Sequence, residues 1–288
     1  MLEASVEIGA RRKPRASEVG QLKSVPQRNI AGLAPDSNIG SNVDSEVGHK
    51  VIDTHLVNAD LAPIIAEIRE QWRRRQAWHR AEKSLTLQSK ALCRRLTEDG
   101  DKAEAERIYK AALGKGEHEM AETAFAAIFP LVEGRKSVEV ARKQVEKRLA
   151  VLAADLPAAE WVRQTRGFGI ASLAAIVGEA GDLAEYATIA KLWKRFGLAV
   201  MPSGRQRKVT GAEGIEHGYN PARRSVVWAI GDCIIRSAGP HKAIYDERKT
   251  FELTRVETKI HAHNRAKRYM EKRVLRDLWA AWRRPVYV

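Results

Sequence analysis

The sequence predicts an all-α protein: a helical hairpin or coiled coil, then a compact helix-hairpin-helix domain, then a long C-terminal helix. Three observations carry this expectation. Apolar residues recur at three- and four-residue spacing over long stretches. Gly, Pro and Asp clusters punctuate those stretches. Neither strand alternation nor a βαβ rhythm is found in the 288 residues. Hydrophobic residues make up 44% of the chain, enough for a core in one or two domains.

Residues 1–55 are rich in Ser, Gly, Asn and Pro, carry a basic patch of Arg11, Arg12, Lys13 and Arg15, and show no sustained period. They are expected to be a disordered, basic and polar N-terminal segment. Residues 56–156 form the hairpin or coiled coil. Leu61, Ile64, Ile68 and Trp72 open its first helix, which runs into the nineties; Asp99-Gly100-Asp101 and Gly114-Lys115-Gly116 are breaks around a shorter helix. The returning helix carries Val138, Ala141, Val145, Leu149 and Leu152 at near coiled-coil spacing, a face suited to packing or to homodimerisation. Leu156-Pro157 ends it, because proline disfavours helix at the residue before it and fits the first turn of the next.

Residues 157–288 are the compact domain. Helices are expected near 158–165, 170–180, 187–196 and 221–237, with an irregular basic segment over 198–220. A final helix of about 40 residues is expected from His241 toward Arg284, with Val256, Ile260, Met270, Val274 and Leu278 on one face.

Charge narrows the partners. The net charge is +14, and from Trp161 onward 24 basic residues face 12 acidic ones, a net of +12 in that half. A polyanion is the natural partner, and a solvated basic surface is the alternative. Cys93 and Cys233 stand far apart, outside any CxxC or Cys/His ligand pattern, so neither a disulfide framework nor a zinc site is suggested and a reducing cytoplasm fits. Apolar runs stay far short of the roughly 18 residues of a membrane helix, and the N-terminus does not read as a secretion signal. No membrane association is expected.

The most specific local feature runs from Trp161 to Leu173. One short helix leads into Gly167-Phe168-Gly169, and an apolar, Ala-rich helix leaves it. Glycines allow a sharp turn and a close approach, free N–H groups at the second helix start suit a phosphate, and Arg163 and Arg166 stand just before them. This is a grip on a DNA backbone without base readout; an ordinary helix–helix turn is the alternative, and Phe168 is expected to be the buried wedge in either reading. Downstream, Ser203-Gly204 is followed by Arg205, Arg207 and Lys208, three cations within four residues, and Arg223-Arg224 opens a helix after Gly218-Tyr219-Asn220-Pro221. Such residues neutralise phosphates, each contact adding to affinity and to its salt dependence. His217, His241, His261 and His263 fall in no Ser/His/Asp arrangement legible in the sequence, and His261 and His263, two apart on a helix, point to different faces.

Taken in succession, Arg166-Gly167-Phe168-Gly169, Ala174-Ala175-Ile176-Val177-Gly178-Glu179, Leu192-Trp193, Gly197-Leu198, Ser203-Gly204 and Gly218-Tyr219-Asn220-Pro221-Ala222-Arg223-Arg224 resemble the C-terminal transposase domain of the insertion-sequence 110 family. The resemblance covers about 150 residues and extends to the terminal helix with Lys267, Arg268, Lys272 and Arg273, and to the 138–156 helix as an inter-domain coiled coil. It implies DNA recombination in which an N-terminal RuvC-like fold supplies metal-binding carboxylates, the C-terminal domain supplies a serine nucleophile and a structured RNA guides target choice. By position Ser203 is implied as that serine, activated by Arg205 or by a metal held elsewhere.

Two departures bear on this. The Ser203 loop is shorter than the family's, with Pro202-Ser203-Gly204-Arg205 where Ser-Gly-Gly-Lys is usual. Val51-Ile52-Asp53-Thr54-His55 faintly resembles the first acidic strand of a RuvC fold but runs at once into helix, so Asp53 is expected to be a loop or cap residue and no metal site is expected in this chain. The sequence thus favours a DNA-binding protein of DNA transposition, related to mobile-element transposases and without its own nuclease domain. The alternatives are an active serine-dependent recombinase whose metal ligands come from a partner chain, and a non-catalytic helical interaction protein. DNA is the expected partner, with structured RNA as the alternative; no cofactor is expected in this chain, magnesium entering only through a partner domain.

Overall fold

The computed structural model describes residues 54–283, with side chains from residue 61. Of the segment 1–55 expected to be disordered, residues 1–53, with the basic patch at Arg11–Arg15 and Asp53, lie outside the described residues, while Thr54 and His55 already belong to the first helix. The described chain is all-α, as expected, apart from one two-stranded ribbon.

The hairpin consists of α1 (Thr54–Arg94), α2 (Lys102–Ala112) and α3 (Ala121–Ala154). Its breaks fall where the sequence puts them. Asp101 caps α2 by accepting from Ala103 N and Glu104 N at 3.0 and 3.2 Å, while Gly100, Gly114 and Gly116 take positive φ. Cross-links between α1 and α3 pair Glu67 with Arg148, Arg75 with Glu146 and Glu82 with Arg142, which fixes an antiparallel register. Two apolar clusters flank this charged middle. At the tip, Cys93, Ile108, Tyr109, Ala124, Ile128 and Val132 pack together; at the base, Leu61, Ile65, Ile68, Trp72, Leu149 and Leu152 join the core of the remaining helices. The predicted seam of α3 is therefore fully buried only at Leu149 and Leu152, whereas Val138 and Ala141 are half-exposed beside the ion pairs.

The head contains α4 (Ala159–Gln164), α5 (Ile170–Ala180), a 3-10 turn (Leu183–Glu185), α6 (Ile189–Arg195), β1 (Val200–Met201), β2 (Gly204–Arg205), α7 (Gly211–His217), α8 (Pro221–Arg236), α9 (Pro240–Leu253) and α10 (Lys259–Trp282). The most buried helix is α5, whose Leu173, Ala174, Ala175, Ile176 and Val177 are all enclosed. It packs on α1, α3 and α8, so one continuous core spans residue 157.

Two expectations need correction. The 40-residue terminal helix is two helices: α9 stops at Leu253, α10 starts at Lys259, and they pack against each other. Thr258 caps α10 by accepting from His261 N at 3.3 Å, and the break leaves Ile260 exposed and Val256 half-exposed, while Met270, Val274 and Leu278 are buried as expected. The segment 198–220 is also not irregular, since it holds β1, β2 and α7.

The hairpin and the head meet at one contact without slack. Gly178 on α5 faces the Trp72 ring, and a Cβ at Gly178 would sit 2.6 Å from Trp72 Cβ and 2.8 Å from its Cδ1. The indole N–H donates to Glu179 Oε1 at 2.8 Å. Gly178→Ala is expected to destabilise the protein by about 1–3 kcal/mol through overpacking, and Trp72→Ala by about 3–5 kcal/mol through the cavity it leaves. Both are read as a lower urea midpoint, and a midpoint unchanged in both variants contradicts this packing.

Candidate nucleic-acid interface

The turn between α4 and α5 is built on Gly167 and Phe168. Gly167 has φ +80°, and a Cβ there would lie 2.7 Å from Ile234 Cα and 2.9 Å from Cys233 O. The close approach that the sequence offered to DNA is thus made to the C-terminal end of α8. Gly239, in the turn after α8, interlocks with the same hairpin: its Cβ would meet Arg166 Cβ at 2.8 Å. Phe168 is the buried wedge, 1% exposed, with its ring edge-on to Trp161 at 5.4 Å. Gly169 is different. It is the exposed N-cap of α5, nothing lies within 4 Å of its would-be Cβ, and no side chain caps the helix. Arg166 is exposed beside it, whereas Arg163 is spent on Glu160 at 3.1 Å and on Ala154 O at 3.5 Å.

The second cluster sits on the ribbon. Val200 pairs with Arg205 and Met201 with Gly204, so Pro202-Ser203 is a two-residue turn and Ser203 stands at its tip. The chain below is pinned from three sides. Buried Gln206 accepts from Ala199 N at 3.1 Å and donates to Lys194 O at 3.0 Å and to His217 O at 2.5 Å. Arg268 of α10 donates to Gly197 O at 3.1 Å and Ala199 O at 3.0 Å. With the backbone fixed in this way, the side chains of Arg205, Arg207 and Lys208 are left in solvent, and among the described residues none of the three forms an ion pair.

The structure also brings together what the sequence kept apart. His217, 1% exposed, places Nε2 3.2 Å from Ser203 Oγ and 3.3 Å from Glu213 Oε1, and Ser203 Oγ donates to Glu213 Oε1 at 3.1 Å. His217 Nδ1 lies 3.2 Å from both Arg207 N and Arg207 O. In the tautomer that donates Nδ1–H to Arg207 O, Nε2 is unprotonated and can take the serine proton in place of Glu213; once Nε2 is protonated, Glu213 is placed to hold the charge. A Ser/His/Glu constellation therefore exists where none was legible. The sequence signal is Glu213-x-x-x-His217, one turn apart, followed by Gly218 in the left-handed region at φ +55° as a helix end. Reading 198–220 as irregular hid that spacing.

Arg223 and Arg224 diverge from the start of α8. Arg223 Nε lies 3.4 Å from Glu179 Oε2, on the side facing the hairpin. Arg224 turns inward: it pairs with Glu271 at 2.7 Å and stacks over Trp228 at 5.2 Å. Lys267 is also internal, fully buried, paired with Asp232 and 3.5 Å above the Trp228 ring, in space that Gly231 leaves open. Burial, and then repulsion from Arg224 and from Arg205, holds the Arg268 guanidinium below its usual range.

Burial drives the Glu271 carboxyl up to about 7 against the pull of Arg224, Lys267 and Arg268. A carboxyl whose pKa is raised on folding stabilises the folded state below its unfolded value of 4.5 and loses that contribution as pH rises through about 7. Between those limits the group contributes a loss of about 3 kcal/mol, at 1.36 kcal/mol per unit. Glu271→Gln, which stays neutral, is expected to flatten this part of the stability profile when urea midpoints are compared at pH 5 and pH 8. Equal slopes in the two proteins contradict the assignment.

Among the described residues no group of three or more His, Cys, Asp or Glu side chains is placed to hold a metal ion, and no helix is long and apolar enough to cross a membrane. Comparison with protein-family models, with curated proteins and with solved structures gives no match, so the candidate interface is defined by its own residues.

Proposed function

We propose that the chain binds nucleic acid, DNA in the first place, through the ribbon and the α5 start of its head, as a DNA-binding protein related to insertion-sequence transposases. One observation carries this reading. A backbone fixed by Gln206, His217 and Arg268 holds Arg205, Arg207 and Lys208 in solvent without acidic partners among the described residues, and the exposed Arg166 and the uncapped α5 N-terminus add to the same basic half. Cations tied to a rigid loop lose less side-chain and backbone freedom when they meet phosphates than cations on a mobile tail. The succession of motifs resembling the transposase domain supports DNA over other polyanions.

Duplex binding is expected to weaken steeply with salt. Arg205→Gln/Arg207→Gln/Lys208→Gln is expected to lower the slope of log K against log salt by about 2–3, at roughly 0.9 per phosphate contact. A slope equal to wild type removes the ribbon from the interface; no duplex binding by wild type at low salt removes the reading.

The Ser203–His217–Glu213 geometry favours a second reading, serine-dependent strand transfer. Ser203 Oγ attacks the phosphorus of a phosphodiester, His217 Nε2 accepts its proton and returns it to the displaced sugar oxygen, which leaves as a hydroxyl, so the strand becomes covalently joined to the serine. Any metal ligands would then come from a partner chain. Denaturing electrophoresis of the protein with end-labelled duplex tests this: an adduct is expected that Ser203→Ala abolishes and His217→Gln reduces by about 100-fold or more. Absence of an adduct, or its survival in Ser203→Ala, leaves binding alone.

A further inference from the structure

We propose that a second site, a pocket of about 260 Å³ between α1 and the head, binds a phosphate group. Its wall on α1 is formed by Arg69, Arg73 and Arg80, which with Trp72 and Gln76 recur at three- and four-residue spacing and so share one face. Arg195 at the end of α6 and Arg223 at the start of α8 close the other side, and Glu179 is the one carboxylate in the lining. Five arginines therefore line a cleft that holds a single carboxylate.

That carboxylate is already shared. It accepts the Trp72 indole N–H at 2.8 Å and faces Arg223 at 3.4 Å without hydrogen-bond geometry, so the buried Arg223 Nε has no partner. Arg195 donates instead to the Glu179 carbonyl oxygen at 3.0 and 2.7 Å. Burial, followed by repulsion from Arg223 and a smaller repulsion from Arg69, pulls the Arg195 guanidinium below its usual range. Arg69 and Arg80 are exposed and join no ion pair among the described residues; Arg73 meets only Glu70, on an exposed face. Buried or crowded cations are stabilised by an anion that completes their hydrogen bonds, and guanidinium groups match a phosphate through paired N–H donors. The pocket has the charge for that ligand and an unpartnered N–H at Arg223 Nε, and it lacks the apolar lining of a metabolite site.

The phosphate chemistry stands on this surplus of cations; only its assignment to a nucleic-acid backbone rests on the function proposed above. Two probes separate the sources, each applied to the full chain and to Arg69→Gln/Arg80→Gln, whose exposed side chains are not part of the core. Inorganic pyrophosphate is expected to raise the wild-type Tm by about 3 °C at ten times its Kd and to leave the variant unmoved. With labelled duplex, the variant is expected to lose about 2 from the salt slope, while Arg69→Lys/Arg80→Lys keeps it. Loss of the pyrophosphate response alone assigns the pocket to free phosphate, and loss of slope assigns it to the backbone of DNA. Both responses equal in wild type and variant overturn the pocket and leave the ribbon interface standing. Failure of wild type to bind duplex while its Tm still responds to pyrophosphate removes the DNA reading and leaves the pocket.

Discussion

The absence of a side chain at Gly178 is the constraint on which the remaining arrangement depends. With only hydrogen at that position, Trp72 reaches the α5 backbone, the base of a 100-residue hairpin docks on the head, and one core runs through both. The same indole orients the Glu179 carboxylate, which in turn faces Arg223. A packing contact in the core thereby sets the position of cations at the surface. Without it α1 would carry a row of arginines along a solvated helix, with no cleft for them to line.

Charge is distributed by the same logic throughout the head. Some cations are consumed internally: Lys267 by Asp232 and the Trp228 ring, Arg224 by Glu271, Arg268 by two carbonyl oxygens. Breaking one side of such a buried pair is destabilising because the other charge stays buried and unpaired. The cations that give the head its positive charge thus divide into a structural set inside and an exposed set outside. The exposed set includes Arg205, Arg207 and Lys208 on the ribbon, Arg166 beside α5, and Arg69 and Arg80 on the α1 wall of the pocket. Net charge alone did not make that division.

Much of the architecture was legible. Helical periodicity gave the hairpin, and its two breaks were marked by residues whose physical roles are visible in the fold: Asp101 as a cap and Gly100, Gly114 and Gly116 at positive φ. Phe168 was identifiable as the wedge because its flanking glycines leave it as the single large apolar group of the turn. What escaped detection lacked local signals. The break between α9 and α10 contains neither Gly nor Pro and rests on the Thr258 cap. Gly167 offered two partners for its close approach, DNA or protein, and only the placement of α8 decides for protein. His217 and Ser203 are 14 residues apart, and their contact needs both the ribbon turn and α7, elements too short to show a period.

The proposed nucleic-acid contacts, at the ribbon, the α5 start and the base of the hairpin, are three places carried on one core. Amide hydrogen exchange of the full chain, with and without saturating duplex DNA at low salt, tests these contacts most directly. The account predicts slowed exchange over 69–80, 166–172 and 203–210 on adding DNA, with the hairpin tip at 102–125 unchanged. Slowing confined to the tip or to residues 1–50 would contradict it.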